Sequence, residues 1–422
     1  MTDAPALRQF HRDVAAELAQ RYAEPINRPT GLAGVCAWHW ALAAEWPAAL
    51  AAALDEAETQ ITQQNVQEAR RWCERGLEHL DQLPEAERPA GALRAYGLAW
   101  TVLDFGGQHE EALDYARRLN ALATAAELDH AEGAALIALG RSQRALANYV
   151  AAEAELRRAL EIGRRIGNAA LEAEALLHLG KTQQLQGRHG EAIASYNAAH
   201  ERGGLLDDRI SLAKIITSLG DVYRLMGAQR QAAQHYTRAL AIEEHLPGTL
   251  GIAIVQEKLA LSYLELGDFD LALRCQSDSL ALREQINDQV GIARGHTVLG
   301  MIHGARGDHQ PAIEAFRRAE AIEATLQNQR GLSMLYNRLG DAFRAAGSYD
   351  EASAHYERSL AAATALGDAL GLAITRERLG DLAAAWRYAA DAARHWQAAA
   401  DLREQLNHAA DAARLRGRIH EV

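Results

Sequence analysis

The sequence of 422 residues is poor in cysteine, proline and aromatic residues. Its three cysteines (Cys36, Cys73 and Cys275) are far apart and have no paired spacing, which argues against a disulfide framework or a zinc site and fits a reducing cytoplasm. Only eight prolines interrupt the chain, so long helices can form. Hydrophobic residues make up 49% of the sequence but aromatic residues only 6%, so much of the apolar content is alanine and leucine, which favour helices. This composition predicts an all-α protein.

The sequence also has no block of lysine and arginine residues. The formal net charge is −12, and arginine alternates with acidic residues as on a solvated helix surface. Non-specific nucleic-acid binding needs clustered cations, so we expect no direct contact with nucleic acid. The N-terminus is charged within its first few residues, unlike a signal peptide. The longest apolar run, residues 31–54, contains His39, Glu45 and Pro47, and is better interpreted as two helices than as a membrane span. We expect a cytoplasmic protein with no membrane segment.

Comparison of the sequence with itself reveals a period of 40 residues. Four glycines (Gly251, Gly291, Gly331 and Gly371) mark the start of one helix in the later repeats. A second series is a leucine followed by glycine, or once by alanine, ending at residues 140, 180, 220, 260, 300, 340 and 380. A third series consists of Ala112, Ala152, Ala192, Ala232, Ala272, Ala312, Ala352 and Ala392. Three series with one period indicate tandem structural units.

Each unit is predicted to be a pair of helices. In residues 331–360, apolar residues recur at steps of three and four as far as Gly347, which ends the first helix, and a second apolar stripe follows the turn at 348–350. The small residue of the first helix and the alanine of the second are expected where the two helices cross. An aromatic residue fills the space beside them at one equivalent position: Tyr196, Tyr236, Phe316, Tyr356 and Trp396.

This pattern resembles the tetratricopeptide repeat (TPR) family. The first helix matches through Leu-Gly and an aromatic residue three positions later (Tyr223, Tyr263, Phe343). The second helix matches through alanine, the aromatic residue and then a small residue: Ala199, Ala239, Ala319 and Ser359. The 40-residue period resembles the extended repeats of kinesin light chains and mitotic adaptor proteins. The resemblance implies an all-α, right-handed superhelical solenoid of TPR-like helix pairs.

We divide the chain into three regions. Residues 1–90 are predicted to form irregular N-terminal helices and degenerate repeats, with helices over 5–22 and 65–80 and two more between 35 and 63. Residues 91–406 are predicted to form eight TPR-like repeats. Residues 407–422 are predicted to form a C-terminal capping helix, because solenoids need a polar end.

Motifs for catalysis or for metal binding are weak. Residues 175–182 nearly match a phosphate-binding loop, but Ala175 replaces its first glycine and Gly180 is the packing glycine in mid-helix. The seventeen histidines form no H-E-x-x-H motif and no cluster with zinc spacing. No nucleophile stands at a recognisable spacing from a base. We therefore expect no enzymatic activity, no metal and no cofactor.

The remaining candidate site is the surface of the first helices. In the TPR family these helices line a concave groove, and the residues that face it include those three before the glycine, one after it and four after it. Two residues one turn earlier are added to this set. Carried over to this sequence, these positions predict a partner-binding set: Lys181, Lys214, Asp221, Arg224, Glu257, Arg294, Thr297, Asn337, Asp341, Arg344, Glu377 and Asp381.

Two observations limit this assignment. Asp221 with Arg224, and Asp341 with Arg344, are three residues apart and can pair with each other instead of with a partner. The asparagines by which mitotic adaptors hold a peptide, and the Asn and Lys set of chaperone-binding repeats, are not reproduced. A net-acidic chain favours a partner with some basic character.

The order of the elements is similar to the C-terminal sensor of bacterial signal-transduction NTPases with numerous domains (STAND proteins). The similarity rests on residues 11–25, the segment CAWHWALAAEW at 36–46, residues 65–80, and Leu-Gly-Asp at 219–221, 339–341 and 379–381. It implies that the repeats bind an inducer or a protein and control an NTPase module, in a longer polypeptide or a partner chain.

Three functional hypotheses follow. The leading one is a non-enzymatic scaffold or sensor that binds a protein or peptide in the groove, within a signalling or regulatory system. The second is a small-ligand (inducer) sensor of a STAND-type regulator, with its pocket near Trp38, Trp40, Trp46, Trp72 and Trp100. The third is an enzyme whose site is dispersed across repeats.

Overall fold

The computed structural model describes residues 4–21, 31–63, 65–204 and 208–420. Within these ranges the chain is helical and contains no strand, so the all-α prediction is confirmed. The chain divides into two compact units, residues 1–215 and 216–422.

The helices of unit 1 are α1 (Ala4–Arg21), α2 (Leu32–Leu42), α3 (Trp46–Thr62), α4 (Val66–Asp81), α5 (Arg88–Phe105), α6 (His109–Ala125), α7 (Asp129–Ala145), α8 (Tyr149–Ile166), α9 (Ala169–Leu185) and α10 (His189–Gly203). A short 3-10 turn, Glu85–Glu87, precedes α5. The helix α11 (Arg209–Leu225) crosses from unit 1 into unit 2. The helices of unit 2 are α12 (Gln229–Glu243), α13 (Leu250–Leu266), α14 (Phe269–Gln285), α15 (Gln289–Arg306), α16 (His309–Thr325), α17 (Gln329–Ala345), α18 (Tyr349–Leu366), α19 (Ala369–Ala385), α20 (Ala389–Gln405) and α21 (Ala409–Ile419).

The predicted helices of the N-terminal region correspond to α1 to α4. The helix predicted over 5–22 is α1, and Tyr22 lies outside the described residues. The apolar run at 31–54 forms α2 and the first half of α3, and Pro47 lies in the first turn of α3, where its missing N–H is not needed. Among the described residues, no helix is long and apolar enough to cross a membrane.

Consecutive helices pack in pairs, and the small residues lie where the two helices cross. We call α5, α7, α9, α11, α13, α15, α17 and α19 the first helices, and the helix after each of them the second helix. All eight alanines of the 40-residue series are fully buried. A Cβ atom on Gly180 would lie 2.6 Å from the Tyr196 ring, and one on Gly300 would lie 2.6 Å from the Phe316 ring. The predicted packing of glycine against the aromatic side chain is therefore confirmed.

In one helix pair, both the glycine and the aromatic residue of this contact are replaced by other residues. In α13 Ala260 stands at the glycine position, and in α14 the buried Gln276 stands at the aromatic position. Both residues are fully buried, and Gln276 Nε2 donates to the Gly295 carbonyl oxygen at 3.0 Å. The residue at the glycine position and the residue at the aromatic position thus differ together in this helix pair.

The glycines at 291, 331 and 371 follow side chains that cap the first helices. Asp288, Asn328 and Asp368 each accept a hydrogen bond from the backbone N–H of the glycine three residues later, at 2.9, 3.1 and 2.9 Å. A Cβ on Gly371 would lie 2.7 Å from Asp368 Oδ2. These three glycines therefore leave space for the capping side chain.

Candidate partner-binding surface on the first helices

Neighbouring first helices contact each other within each unit. The contacts join α5 to α7 and α7 to α9 in unit 1, and α13 to α15 and α17 to α19 in unit 2. We call the surface formed by their side chains the first-helix face. The predicted partner-binding residues all belong to first helices.

Ion pairs join the acidic and basic side chains of successive first helices at a constant separation of 37 residues. This separation is three residues shorter than the 40-residue repeat, and three residues make nearly one helical turn. The base therefore lies almost one turn closer to the N-terminus of its own helix than the acid does to the N-terminus of its helix. We call these contacts the inter-repeat ladder. They are Asp104–Arg141 (2.6 Å), Asp221–Lys258 (2.6 Å), Glu257–Arg294 (2.7 Å), Asp341–Arg378 (2.9 Å), Glu377–Arg414 (2.7 Å) and Asp381–Arg418 (2.8 Å), the last two ending in α21.

The aspartate after the packing glycine also binds the aromatic side chain of its own pair. The Tyr356 hydroxyl donates to Asp341 Oδ1 at 2.7 Å, and Trp396 Nε1 donates to Asp381 Oδ1 at 2.9 Å. Tyr356 is fully buried, so its hydroxyl needs an acceptor. Burial, followed by the charge of Asp341, raises the pKa of Tyr356. The aspartate of each Leu-Gly-Asp segment therefore links a repeat to the next one as well as forming part of the first-helix face.

Glu257 belongs to a buried network of charges. Arg283 of α14 is only 1% exposed, and its Nη2 lies 3.2 Å from Glu257 Oε2. Its Nη1 donates to Asp288, which also caps α15, at 2.6 Å. Arg294 of α15 donates to the other oxygen of Glu257 at 2.7 Å. Glu257 was predicted to bind a partner, and the structure gives this residue a role in holding α13, α14 and α15 together.

The other predicted residues of unit 2 also have neighbours. Thr297 donates to a backbone carbonyl of its own helix, and the buried Asn337 donates to Thr375 Oγ1 at 3.0 Å. Arg224 pairs with Glu265 at 3.3 Å. Arg344 is half-buried and forms no ion pair with a described carboxylate within 4.0 Å.

The alternative pairing within each helix does not form a close ion pair in the described residues, although the charge of Asp341 acts on Arg344. Among the described residues, neither Asp221 nor Asp341 lies within 4.0 Å of the arginine three residues later. Asp221 pairs with Lys258 and Asp341 with Arg378, and each aspartate also accepts from the tyrosine hydroxyl of its own helix pair. Sequence reasoning missed these basic partners, although opposite charges at a separation of 37 residues are visible in the sequence.

In unit 1, Lys181 and Lys214 lie near His178 and two arginines of α7. Burial and then the positive charges of these four residues lower the pKa of His178 well below its usual value. Gly180, Lys181 and Thr182 are in the interior of α9, where the Thr182 hydroxyl donates to the His178 carbonyl at 2.9 Å. A helix interior offers no loop of free amides that could surround a phosphate, so the near-match to a phosphate loop does not form one.

The tryptophans near the start of the chain occupy separate positions. Trp72 packs against Gly34, whereas Trp100 lies under the Arg141 guanidinium and donates to Ser142 Oγ at 3.0 Å. Trp40 borders a cleft of about 230 Å³ between α1, α2 and α3. Within the described ranges, no three side chains of the metal-ligating types come together.

The comparisons with known proteins agree with this architecture. A family model described as tetratricopeptide repeat matches residues 171–244 and 251–322, and a second model with the same description matches residues 335–370. No curated protein sequence matches the chain.

The solved structures that are similar to the chain include the following three. The apo form of RapI has 13% sequence identity and a TM-score of 0.61, and the match covers 85% of this chain and 98% of RapI. The apo form of the quorum sensor NprR from B. thuringiensis has 14% identity and a TM-score of 0.59, covering 85% and 98%. The STAND protein PH0952 from Pyrococcus horikoshii, which has a tetratricopeptide repeat sensor, has 14% identity and a TM-score of 0.59, covering 87% of this chain and 55% of that protein. At these identities the similarity concerns the fold. The helix pairs, their 40-residue period and the family models together show tetratricopeptide repeats at residues 171–244, 251–322 and 335–370.

Proposed function

We propose that this chain is a non-enzymatic scaffold or sensor that binds a protein or peptide along its first-helix face, within a signalling or regulatory system. The observation that supports this proposal most is the inter-repeat ladder, which fixes side chains of both charges at regular intervals along one face. Side chains that are already held in place lose little conformational entropy on binding. A fixed series of charges also selects partners by the order of their own charges.

The structural relatives support a sensing role. One is named as a quorum sensor, and another carries a tetratricopeptide repeat sensor in a signal-transduction ATPase. An ATPase module, in the same polypeptide or in a partner chain, is one partner that this proposal includes.

Arg224 and Arg344 are the residues of this face that we assign most directly to the partner. Both stand four residues after the packing glycine, in repeats three units apart. Among the described residues, Arg344 has no carboxylate within 4.0 Å, although the charges of Asp341 and Asp381 act on it, and Arg224 pairs with the partly exposed Glu265. Both guanidinium groups can therefore bind a carboxylate or a backbone carbonyl of a partner.

Replacing both arginines with alanine is expected to weaken partner binding at least about 30-fold, since removing one member of a desolvated charge pair costs about 2–5 kcal/mol. The partner is first recovered by pull-down with the full chain and identified by mass spectrometry. Its affinity for each variant is then measured by calorimetry.

The control is the double variant Arg238→Ala with Arg274→Ala. Both residues are exposed on second helices of unit 2, and neither has an ion pair or hydrogen bond among the described residues. The control removes the same charge from the same unit. Equal affinity of the two double variants would show that the first-helix face is not where the partner binds.

The second candidate is a sensor of a small inducer, as in a STAND-type regulator. Such a site needs an enclosed pocket with aromatic walls. The separate positions of Trp72 and Trp100 and the small cleft beside Trp40 weigh against the pocket predicted there. The fold similarity to PH0952 is the observation that favours this candidate.

A further inference from the structure

Three aromatic side chains contact one another in a row in unit 2. The ring centroids of Tyr349 and Trp386 are 5.8 Å apart, and those of Trp386 and Tyr388 are 5.6 Å apart. Tyr388 is 54% exposed, and the other two side chains are partly exposed. We call these three side chains the aromatic row. Because only 6% of the chain is aromatic, such a row is a distinctive surface.

The aromatic row lies on two turns of the repeats. Tyr349 is the first residue of α18, directly after the turn that follows α17. Trp386 and Tyr388 lie in the turn between α19 and α20. Each of these turns joins a first helix to the second helix of its own pair. A partner held by the row would therefore contact other side chains than those of the inter-repeat ladder.

The residue between Trp386 and Tyr388 has an unusual backbone conformation for its type. Arg387 has a φ of 67°, in the left-handed region that disfavours residues with a Cβ atom. The equivalent position is alanine at 147 and glycine in the other helix pairs, at 107, 187, 227, 267, 307 and 347. The Arg387 side chain is exposed and has no ion pair or hydrogen bond among the described residues. The turn thus presents an unpaired positive charge at a position where its backbone favours glycine.

The polar groups of the aromatic row have no acceptor among the described residues. Neither the two tyrosine hydroxyls nor Trp386 Nε1 donates a hydrogen bond there. The buried aromatic residues of the same unit differ, since Tyr356 and Trp396 donate to aspartates of their own helix pairs. The row therefore offers apolar ring faces together with three hydrogen-bond donors.

This chemistry selects among the ligands that aromatic side chains bind. An organic cation is disfavoured because Arg387 stands between two of the three rings. A nucleic-acid strand is disfavoured by the net charge of −12. Helices and sheets use their own backbone carbonyls, whereas a polyproline II helix has no internal hydrogen bonds and leaves its carbonyls free to accept. Three rings with this spacing extend over roughly one turn of such a helix, which rises about 3.1 Å per residue.

We infer that the aromatic row binds a proline-rich segment of a partner in the polyproline II conformation, with a carboxylate of that segment on Arg387. Prolyl rings pack against aromatic side chains, and the three donors bind the free carbonyls of the segment. Two exposed acids, Asp350 and Glu351, directly follow Tyr349 in α18. Charge at the Tyr349 end of the row therefore opposes that at Arg387, and directs the carboxylate of the segment toward Arg387.

The test uses a fluorescein-labelled peptide with a run of prolines followed by two glutamates. Its counterpart has glycine in place of every proline, which makes the chain flexible. Binding to the full chain is measured by fluorescence anisotropy. We expect the proline peptide to bind at least about 10-fold more tightly than the glycine peptide, and Tyr388→Ala to weaken the proline peptide by about 10-fold. The matched control is Phe105→Ala, which removes a 67% exposed ring that has no aromatic neighbour among the described residues.

Arg387→Gly separates the contribution of the charge from that of the rings. The variant should fold, because glycine adopts a positive φ without strain. In the wild type, we expect the peptide that ends in glutamates to bind about 3-fold more tightly than one that ends in serines, as for a partly exposed ion pair. In Arg387→Gly the two peptides should bind equally well.

The inference fails if Tyr388→Ala and Phe105→Ala bind the proline peptide equally well. Equal binding of the proline and glycine peptides, or no binding of the proline peptide to the wild type, would also overturn it. A preference for glutamate that persists in Arg387→Gly would contradict the role of Arg387.

The outcome is independent of the proposed function, because the aromatic row lies outside the first-helix face. The double variant Arg224→Ala with Arg344→Ala should bind the proline peptide as the wild type does. If this variant loses the peptide, the segment binds on the first-helix face and not on the aromatic row.

Discussion

Glu257→Ala is expected to destabilise the repeats around α13 to α15 by about 3 kcal/mol, because removing one member of a buried ion pair leaves its partner uncompensated. The partner is Arg283, which is 1% exposed. In the variant, Arg283 retains its ion pair with Asp288. We therefore expect the loss of stability to lie at the lower end of the usual range of about 3–5 kcal/mol for such changes. Urea unfolding of the variant and the wild type, with hydrogen exchange to locate the loss, measures this effect.

Asp270→Ala provides the matched control. Asp270 also pairs with an arginine, at 3.3 Å from Arg306, but its side chain is 87% exposed. Exposed ion pairs contribute only about 0–1 kcal/mol, so this variant should be close to wild type. Similar stability losses in both variants would mean that Glu257 lies on the surface as a free partner-binding residue and not in a buried network.

Gly180→Ala is expected to lower the free energy of unfolding by about 1–3 kcal/mol, the usual cost of overpacking. The added Cβ would lie 2.6 Å from the ring of Tyr196, which is fully buried and donates from its hydroxyl to Gln184 at 2.9 Å. The ring is held at both its face and its hydroxyl, so it has little freedom to move aside. Thermal and urea unfolding of the full chain measure the change.

Gly97→Ala separates steric crowding from helix propensity. Gly97 is also in the interior of a first helix of unit 1, but no atom lies within 4 Å of its added Cβ. Alanine there should stabilise the chain by up to about 1 kcal/mol, because glycine is a poor helix former. If both glycines respond alike, the contact between Gly180 and Tyr196 does not decide the effect.

The helix pairs could be predicted from the sequence because their close packing requires small residues, and these recur every 40 residues. Gly180 and Tyr196 are in close contact with each other. A glycine and an aromatic residue therefore recur together at the equivalent positions of other repeats. The capping role of Asp288 and Asp368 was also open to prediction, since an aspartate just before an apolar segment of helical period is a known signal for a helix start. The division into residues 1–90, 91–406 and 407–422 stays a prediction.

The site was harder to predict because its contacts join different helices. The pairs of Asp221 with Lys258 and of Asp341 with Arg378 depend on how far one first helix is displaced along the next, which a single repeat does not specify. Burial of Glu257 depends on Arg283, which reaches it from a second helix.

Site-specific photo-crosslinking tests the central claim most directly. The photoreactive residue replaces Arg344 on the first helix α17 in one sample, and Arg274 on the second helix α14 in another, and the complex with the recovered partner is irradiated. We expect a crosslink to the partner from position 344 and none from position 274. A crosslink from position 274 alone would contradict the assignment of the first-helix face as the binding surface.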